Sequence, residues 1–237
     1  MGISTVVCGR SGRMATVLAQ AVSESTDLEL TCRLNLRGEA GESTVDGEVH
    51  NLREVLGPPP VVVDFTRPEA TVRLLRQAEQ VECALVIGTS GLDGADRELM
   101  RRVAGERPVV FAPNFSLGLA AVRRFVSDLA DRVGAQWDAG ILDIHFAGKA
   151  DAPSSTALAL AAAWGGSRAG PDPTISSFRI GDAVSEHRVI ASGRGEQVEV
   201  CHKVTDRAAF VPGVLAAIRF ADRADPGLYQ LEDVLCG

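Results

Sequence analysis

Hydrophobic positions in the first half of the chain follow two alternating spacings. Short runs rich in β-branched residues predict strands at residues 5–8, 28–34, 61–63, 84–87 and 109–111. Between them, apolar residues at i, i+3, i+4 and i+7 predict helices at 14–22 and 70–78, with a weaker helical stretch at 97–103. Strands that alternate with helices in this way are typical of βαβ units in a parallel sheet.

The pattern changes after Asn114. A long amphipathic stretch at 117–133 predicts a helix, and a strand at 140–144 and a helix at 155–164 follow it. The apolar period then becomes two, in runs at 178–180, 187–191 and 197–204, which predicts antiparallel strands with one face exposed to water. The segment 165–174 is rich in Gly and Pro and is predicted to be a loop, and 210–220 reads as a last helix.

Length and charge limit the classes of function. A chain of 237 residues can form one large α/β domain or two smaller ones that share a cleft, and we expect two. Its net charge of -7 disfavours nucleic acid and anionic membrane surfaces as partners. The apolar runs fall short of the roughly 20 residues of a membrane helix, and no basic segment precedes an apolar stretch at the start. We therefore expect no membrane span and a cytoplasmic location.

The cysteines and the acidic residues show no metal-binding pattern. Five cysteines lie at wide, unequal spacings without a C-x-x-C pair, so we expect free thiols. No group of carboxylates and histidines has metal-ligand spacing along the sequence, which predicts no metal.

A glycine-rich turn joins the first predicted strand to the first helix. Its G-x-x-G-x-x-A spacing is formed by Gly9, Gly12 and Ala15. Gly9 permits a sharp turn, Gly12 permits close approach of a pyrophosphate, and Ala15 permits close packing of the helix on the sheet. The turn is a candidate dinucleotide loop, although a plain glycine-rich connection would carry the same letters.

The end of the second predicted strand bears on the choice of cofactor. Dinucleotide folds usually place an acid there to bind the ribose hydroxyls, but the first acid after this strand is Glu39. Arginines could instead neutralise a 2′-phosphate, which predicts that NADPH is used at least as well as NADH. The alternative is that these arginines only solvate a loop. They are Arg10, Arg13, Arg33 and Arg37.

A second set of reactive residues lies between the strand at 140–144 and the helix at 155–164. His145 ends the strand, Lys149 follows four residues later, and Thr156 lies in the first turn of the helix. An imidazole, an ammonium group and free backbone N–H groups together form a site suited to a small carboxylated substrate. The alternative is structural, with Asp151 and Ser154 capping the helix and Lys149 solvated.

At these residues the sequence resembles the dihydrodipicolinate reductase family, and the similarity runs nearly end to end. The signature loop is His145-x-x-x-Lys149-x-Asp151-Ala152-Pro153-Ser154-x-Thr156. The other matching motifs are Gly9-x-x-Gly12-Arg13-Met14, Val63-Asp64-Phe65-Thr66-x-Pro68-Glu69-Ala70, Gly88-Thr89-Ser90-Gly91, Ala112-Pro113-Asn114-Phe115-Ser116-x-Gly118, Gly195-Glu196, His202, Arg207, Phe210, Pro212-Gly213 and Pro226-Gly227-Leu228-Tyr229.

The resemblance implies an α/β fold with two domains. A Rossmann-like, parallel-sheet nucleotide-binding domain would comprise residues 1–113 plus 209–237. A second, α+β domain with a mixed sheet would comprise 114–208, bind the substrate and form subunit contacts, with hinges near Asn114 and Arg207. The resemblance also implies a homo-oligomer, a tetramer or a dimer.

The resemblance further implies the chemistry. NADPH or NADH would deliver a hydride to a ring carbon of an unsaturated cyclic imine dicarboxylate. His145 would be the acid, Lys149 the substrate-binding cation and a possible second proton donor, and Thr156 would hold a carboxylate, with Phe146 and Ser155 beside them. The implied cofactor-binding residues are Gly9, Ser11, Gly12, Arg13, Met14, Asn35, Phe65, Thr66, Gly88, Thr89, Ser90, Asn114 and Phe115.

Several positions depart from the family pattern. The second of two adjacent histidines is Phe146, which neither donates a hydrogen bond nor carries charge. The glycine before the threonine is Ser155, the acid before the histidines is shortened to Asp143, and 165–177 is shorter than is typical. Because Phe146 and Ser155 belong to the substrate positions, we expect weak or absent turnover of the lysine-pathway substrate.

Four functions therefore compete. The first is the reductase of lysine and diaminopimelate biosynthesis, and the second is a paralogous reductase of a related imine or conjugated acid in specialised metabolism. The third is a non-redox cyclase, dehydratase or imine-binding protein that uses His145 and Lys149 as acid and base. The fourth is a non-catalytic nucleotide-binding or interaction module, which the presence of both His145 and Lys149 disfavours.

Overall fold

A computed structural model describes residues 2–36, 48–166, 170–182 and 184–236. The chain forms two compact units. Unit 1 comprises Met1–Phe115 and Phe210–Gly237, and unit 2 comprises Ser116–Ala209. The divisions fall at 115/116 and 209/210, beside the 113/114 and 208/209 expected from the sequence. Arg37 and Glu39, invoked above for cofactor choice, lie outside the described residues, as does part of the 165–177 segment.

The helices and strands are, in chain order, β1 (Ile3–Cys8), α1 (Arg13–Glu24), β2 (Leu28–Leu34), β3 (Glu48–Val49), β4 (Val61–Asp64), α2 (Pro68–Ala78), β5 (Ala84–Ile87), α3 (Gly94–Ala104), β6 (Pro108–Phe111), α4 (Leu117–Val133), β7 (Asp138–His145), α5 (Ser155–Gly165), β8 (Thr174–Arg179), β9 (Ser185–Gly193), β10 (Glu196–Val204), α6 (Val211–Ala221), β11 (Gly227–Tyr229) and α7 (Leu231–Cys236). Single 3-10 turns lie at Leu52–Glu54, Gly134–Gln136 and Arg207–Phe210.

Unit 1 is built on a seven-stranded sheet in the order β11-β6-β5-β4-β1-β2-β3, in which each pair is parallel. All four residues of β4 are buried, as are all four of β5. An uninterrupted apolar run is the expected pattern for a parallel strand that helices cover on both faces. β11 is an addition that the sequence pattern did not reveal.

The order of the strands locates the predicted cofactor residues. β1 lies between β2 and β4, which is the point where the chain reverses its direction of travel across the sheet. Ligands of open α/β sheets bind at the carboxyl ends of the strands beside such a point. Gly9 directly follows β1, Phe65 and Thr66 follow β4, and Gly88 and Thr89 follow β5, so these positions share one edge of the sheet.

Unit 2 contains a four-stranded sheet in the order β10-β9-β7-β8. β7 pairs antiparallel with β9 and parallel with β8, so the sheet is mixed. Its core is formed by α4, α5 and one face of the sheet, with Ile141, Leu160, Trp164 and Val189 almost wholly buried. The other face of β10 is largely exposed, which produces the period of two in its sequence.

The prediction for β8 was wrong in extent and direction. The sequence pattern indicated an antiparallel strand beginning at 178, after a loop reaching 174, but β8 begins at Thr174 and pairs parallel with β7. The physical reason is the connection, because α5 carries the chain back along the sheet before β8 begins. A helical crossover of this kind joins parallel strands.

Within the described ranges, no helix is both long enough and apolar enough to cross a membrane. The five cysteines are free thiols, of which Cys8 and Cys83 are buried in unit 1. Burial raises the pKa of the Cys83 thiol to about 12.

Candidate functional site

The centre of the site in unit 2 is Asp143, a fully buried carboxylate near the end of β7. Its register places it opposite Ser177 of β8 and His187 of β9. Oδ2 accepts hydrogen bonds from the Ser154 backbone N–H at 2.9 Å, the Ser177 hydroxyl at 3.0 Å and Arg179 Nη2 at 3.0 Å. Three strands and the start of α5 therefore meet at one carboxylate.

Two imidazoles approach the other oxygen of Asp143. His145 Nε2 lies 3.1 Å from Oδ1, and His187 Nε2 lies 3.3 Å from the same atom. Burial alone would raise the pKa of the Asp143 carboxyl, but contacts with His145, His187, Ser154 and Arg179 hold it well below its usual range. The group is therefore a carboxylate throughout the physiological range of pH.

His145, the predicted acid, is held from its other nitrogen. Nδ1 lies 3.1 Å from the carbonyl oxygen of Val184, and a carbonyl only accepts, so Nδ1 donates. Nε2 is buried and lies against Asp143 Oδ1. The side chain is 9% exposed, and its ring packs edge-on against His187 with centroids 5.2 Å apart.

Lys149, the predicted substrate-binding cation, lies in the loop between β7 and α5. Its Nζ is 2.6 Å from Asp151 Oδ1, and its side chain is 16% exposed. Burial raises the pKa of Asp151, but the hydrogen bond from Lys149 and its charge outweigh this and hold that pKa below its ordinary value. The ammonium group is thus fixed in position and still reaches solvent.

The first turn of α5 completes the site. Ser154 is the N-cap, and its Oγ accepts a hydrogen bond from the Ala157 N–H at 3.1 Å. Thr156 is buried and Ser155 is half-buried. Phe146 is half-buried, with its ring edge against the backbone of Gly148. Because the positive end of the helix dipole lies here, this turn favours an anion.

The same site contains three side chains that could ligate a metal ion. Their ligand atoms, on Asp143, His145 and His187, lie within 4.8 Å of one another. Spacing along the sequence does not reveal this group, because His187 reaches Asp143 only through the pairing of β9 with β7. Arg179 already neutralises this carboxylate, and a divalent cation would add charge beside it. That no metal binds here remains a prediction.

In unit 1, the candidate dinucleotide loop is tied to β2. Gly9 has φ +98°, a conformation that favours glycine, and its N–H donates to the Leu34 carbonyl at 2.9 Å. Arg33 donates from Nε and Nη2 to the Gly9 carbonyl, at 3.1 and 2.8 Å. Arg33 thus holds the loop itself. A Cβ at Gly9 would contact the side chains of Thr66 and Ala15.

A buried carboxylate, Asp64, connects the ends of β4 and β5. Oδ1 accepts from the Thr66 N–H at 2.9 Å and its hydroxyl at 2.6 Å, and Oδ2 accepts from the Thr71 hydroxyl at 2.6 Å. Thr71 Oγ1 is 2.9 Å from Thr89 Oγ1. Burial raises the pKa of Asp64, and the hydrogen bonds from Thr66 and Thr71 oppose this. Two predicted cofactor residues, Thr66 and Thr89, are therefore held by one network.

Aromatic packing joins three further cofactor candidates. The rings of Phe65 and Phe115 have centroids 5.2 Å apart, and Phe115 is fully buried. A Cβ at Gly88 would lie only 2.1 Å from the Phe65 ring, so this close approach requires glycine. Gly12 is the N-cap of α1 and provides no capping side chain. The remaining candidates are Ser11, Arg13 and Ser90, which are exposed, and Met14, Asn35 and Asn114, which are half-buried.

Sequence reasoning missed the centre of the unit 2 site. It assigned no role to Asp143, Ser177, Arg179 or His187. One signal was present, because His187 occupies the same face of β9 as Ser185, Val189 and Ala191, all of which are buried. An imidazole at such a position needs a buried polar partner.

The fold and the site define a class of protein. A Rossmann-like parallel sheet with a glycine turn, combined with a second unit that holds an imidazole and an ammonium group, is the architecture of a nicotinamide-dependent oxidoreductase. The chain belongs to the dihydrodipicolinate reductase family: the family's N-terminal model matches residues 3–115 and its C-terminal model residues 118–235. It is accordingly an oxidoreductase with a nicotinamide cofactor.

Individual relatives agree with this assignment. A 4-hydroxy-tetrahydrodipicolinate reductase of Xanthomonas campestris pv. campestris is 36% identical over 236 residues, covering 98% of each chain. One from Alkalilimnicola ehrlichii is 34% identical over 259 residues, covering 97% of each. A dipicolinate-bound dihydrodipicolinate reductase from Paenisporosarcina sp. TG-14 shares the fold, with a TM-score of 0.78, 22% identity and coverage of 98% and 99%. The predicted family and fold class are confirmed.

Proposed function

We propose that the chain catalyses the NAD(P)H-dependent reduction of an unsaturated cyclic imine dicarboxylate, with the substrate named for its relatives, 4-hydroxy-tetrahydrodipicolinate, as the leading candidate. The observation that carries the proposal is the placement of His145 and Lys149 beside the first turn of α5. Their nitrogens are held by Val184 and Asp151 respectively. This arrangement supports the binding of an anion next to a proton donor.

Each group has a distinct task in this reaction. Thr156 and the positive end of the α5 dipole bind one substrate carboxylate, and Lys149 binds and neutralises the substrate. When bound, the nicotinamide ring supplies the hydride that adds to the ring carbon. His145 supplies the proton that balances this addition, and Lys149 is the alternative donor.

The residues of unit 1 fit a dinucleotide. The Gly9 turn and the uncapped start of α1 at Gly12 leave backbone N–H groups for a pyrophosphate. The residues that would hold the cofactor are Gly9, Ser11, Gly12, Arg13, Met14, Asn35, Phe65, Thr66, Gly88, Thr89, Ser90, Asn114 and Phe115. NADPH is used at least as well as NADH. Arg10 and Arg13 lie between β1 and the first turn of α1 and can neutralise a 2′-phosphate, and no acid directly follows β2 to bind the ribose hydroxyls. Arg33 acts instead through the Gly9 carbonyl.

A second candidate function is the reduction of a related cyclic imine in specialised metabolism. Phe146 favours it, because an apolar ring stands where the family has a second histidine, and Ser155 adds a hydroxyl in the first turn of α5. Loss of one polar contact to a bound carboxylate costs about 1–3 kcal/mol, or about one to two decades in kcat/KM. This candidate predicts slow turnover of 4-hydroxy-tetrahydrodipicolinate and faster turnover of another imine.

The proposed cellular location and oligomeric state follow from the same chemistry. A soluble dinucleotide and a small anionic substrate support a cytoplasmic location. A homo-oligomer, dimer or tetramer, is supported by Phe178 and Ile180 at the edge of the unit 2 sheet, which are 47% and 57% exposed. Light scattering coupled to gel filtration measures the subunit number.

The test is the loss of NADPH absorbance against a panel of cyclic imines, beginning with enzymatically prepared 4-hydroxy-tetrahydrodipicolinate. Turnover of that compound at rates typical of enzymes supports the first candidate. Turnover mainly of a different imine supports the second. If no imine causes NADPH oxidation although the protein retains the nucleotide, the reductase proposal fails and a cyclase or dehydratase is the better description. His145→Ala, which should bind NADPH normally without turnover, is the control for background oxidation.

A further inference from the structure

We infer that Asp143 and His187 are positioning residues for the proposed reduction, holding the proton donor His145 and the anion-binding first turn of α5 in one fixed arrangement. The inference rests on the proposed function for its kinetic consequences. Its structural part, the attachment of both elements to one carboxylate, stands on contacts within unit 2 alone.

The two oxygens of Asp143 have separate tasks. Oδ2 receives three donors, from the Ser154 backbone, Ser177 and Arg179, each within 3.0 Å. Three donors on one oxygen fix the plane of the carboxylate, so the direction of Oδ1 is fixed as well. Because the Ser154 N–H belongs to the N-cap of α5, movement of the carboxylate would also move the turn that receives the substrate.

Oδ1 lies against the buried Nε2 of His145. Since Nδ1 donates to the Val184 carbonyl, a proton on Nε2 lies beside Oδ1, at a nitrogen-to-oxygen distance of 3.1 Å. The carboxylate oxygen and the Val184 carbonyl therefore hold the ring from its two nitrogens.

His187 closes a ring of contacts around the same carboxylate. Its Nε2 lies 3.3 Å from Asp143 Oδ1 and 3.2 Å from Ser154 Oγ. Nδ1 is buried and has no hydrogen-bond partner among the described residues, so the proton belongs on Nε2, where it faces two acceptors. Burial lowers the pKa of His187, the contact with Asp143 opposes this, and the net direction is downward. His187 therefore donates as a neutral imidazole.

The charges around His145 are balanced in pairs. Asp143 of β7 faces Arg179 of β8, and Lys149 faces Asp151 within the loop after β7. β9 contributes the neutral His187, and the first turn of α5 contributes only hydroxyl side chains. A proton on His145 therefore adds one positive charge to a site that is otherwise neutral, which suits an anionic substrate.

The experiment compares His187→Leu with His187→Gln. Leucine fills the space without a donor, whereas the glutamine amide can donate to Asp143 and Ser154. We expect His187→Leu to lower kcat/KM for the imine by about 10- to 100-fold with KM for NADPH within about twofold, and His187→Gln to restore most of the loss. Ser176→Ala, on the opposite, exposed face of β8, is the matched control and should change neither parameter.

The pH profile separates positioning from a purely structural role. A protonated acid makes kcat/KM fall as pH rises, and Asp143→Asn removes the negative charge beside the proton. We expect its alkaline limb to move to lower pH by about one unit or more. In His187→Leu, Oδ1 loses a competing donor, so the limb should move to higher pH. Opposite shifts from two neighbouring buried residues are not expected from lost stability alone.

The inference is overturned if both His187 variants lose the same activity, or if melting temperature falls while the pH profile stays unchanged. Should Asp143→Asn fail to fold, the leucine and glutamine pair at His187 decides the matter. A ring ¹H–¹⁵N NMR spectrum of the four histidines provides a readout without substrate. A protected Nε2 proton on His187 supports the arrangement even if no imine is turned over, in which case the proposed function fails separately, and its absence refutes the arrangement.

Discussion

Lys149 Nζ and Asp151 Oδ1 lie 2.6 Å apart in the loop that precedes α5. Asp151 is additionally fixed from its backbone, because its carbonyl accepts a hydrogen bond from Arg179 Nη2 at 2.5 Å. The same arginine binds Asp143. The ammonium group is therefore connected through Asp151 and Arg179 to the carboxylate that organises the rest of the site, although it lies in a loop.

Replacement of Lys149 tests its proposed role. In Lys149→Gln, the substrate loses a charged contact and one of two possible proton donors. We expect kcat/KM for the imine to fall by about 10²- to 10⁴-fold, with NADPH affinity unchanged. Steady-state kinetics measures the first quantity and nucleotide fluorescence titration the second. The matched control is Lys203→Gln, an exposed lysine of β10 paired with Glu186. Equal losses in the two variants would show that only general charge matters.

Gly88 provides a test of the cofactor site in unit 1. A methyl group at this position would lie 2.1 Å from the ring of Phe65, so the ring must shift and its packing on Phe115 changes. We expect Gly88→Ala to raise the Kd for NADPH and to destabilise the protein by about 1–3 kcal/mol. Fluorescence titration and denaturant unfolding measure the two effects.

The control for this substitution is Gly94→Ala at the start of α3, where an added Cβ meets nothing within 4 Å. Alanine is a better helix former than glycine, so this variant should be at least as stable as the natural sequence. If Gly88→Ala binds NADPH as the control does, Phe65 has no part in nucleotide binding.

Stability should depend on pH through His187. Its pKa is lowered in the folded protein, so the unfolded chain binds a proton more readily between the folded value and the ordinary value of about 6.5. Stability is therefore present above about pH 6.5 and is lost as pH falls below it. Asp143 adds a second loss below about pH 4, because its pKa is also lowered by folding.

The measurement is the melting temperature between pH 8 and pH 5, which lies above the Asp143 transition. His187→Gln removes the titrating imidazole, so its melting temperature should fall less over this interval than that of the natural protein. Two parallel curves would mean that His187 does not carry the dependence.

The division between what sequence predicts and what it misses has a physical cause. The Val61–Asp64 strand and the Gly9 turn are recognisable because burial on both faces and local backbone geometry leave a contiguous pattern. Asp143 contacts Ser177 and His187 through strand register, which no local pattern encodes. The parallel direction of β8 likewise depends on the path of α5.

The site shows the same division. His145, Lys149 and Thr156 lie within twelve residues of one another and form a motif that can be read directly. The groups that hold them, Arg179 and His187, come from later strands and only become neighbours after the sheet forms. Charge and periodicity identify the reacting residues, whereas their supports require the fold.

Arg10 allows the cofactor preference to be tested. It is exposed at the start of the loop that follows Gly9, whereas Arg33 is occupied by the Gly9 carbonyl. If Arg10 contacts the 2′-phosphate of NADPH, Arg10→Ala should lower kcat/KM for NADPH by about three- to tenfold and leave that for NADH unchanged, since NADH lacks this group.

The control is Arg194→Ala, an exposed arginine in the turn between β9 and β10. Raised salt should weaken NADPH use in the natural protein more than in Arg10→Ala, because screening acts on the same contact. A natural protein with a kcat/KM that strongly favours NADH would contradict the proposed preference, whatever the variant does.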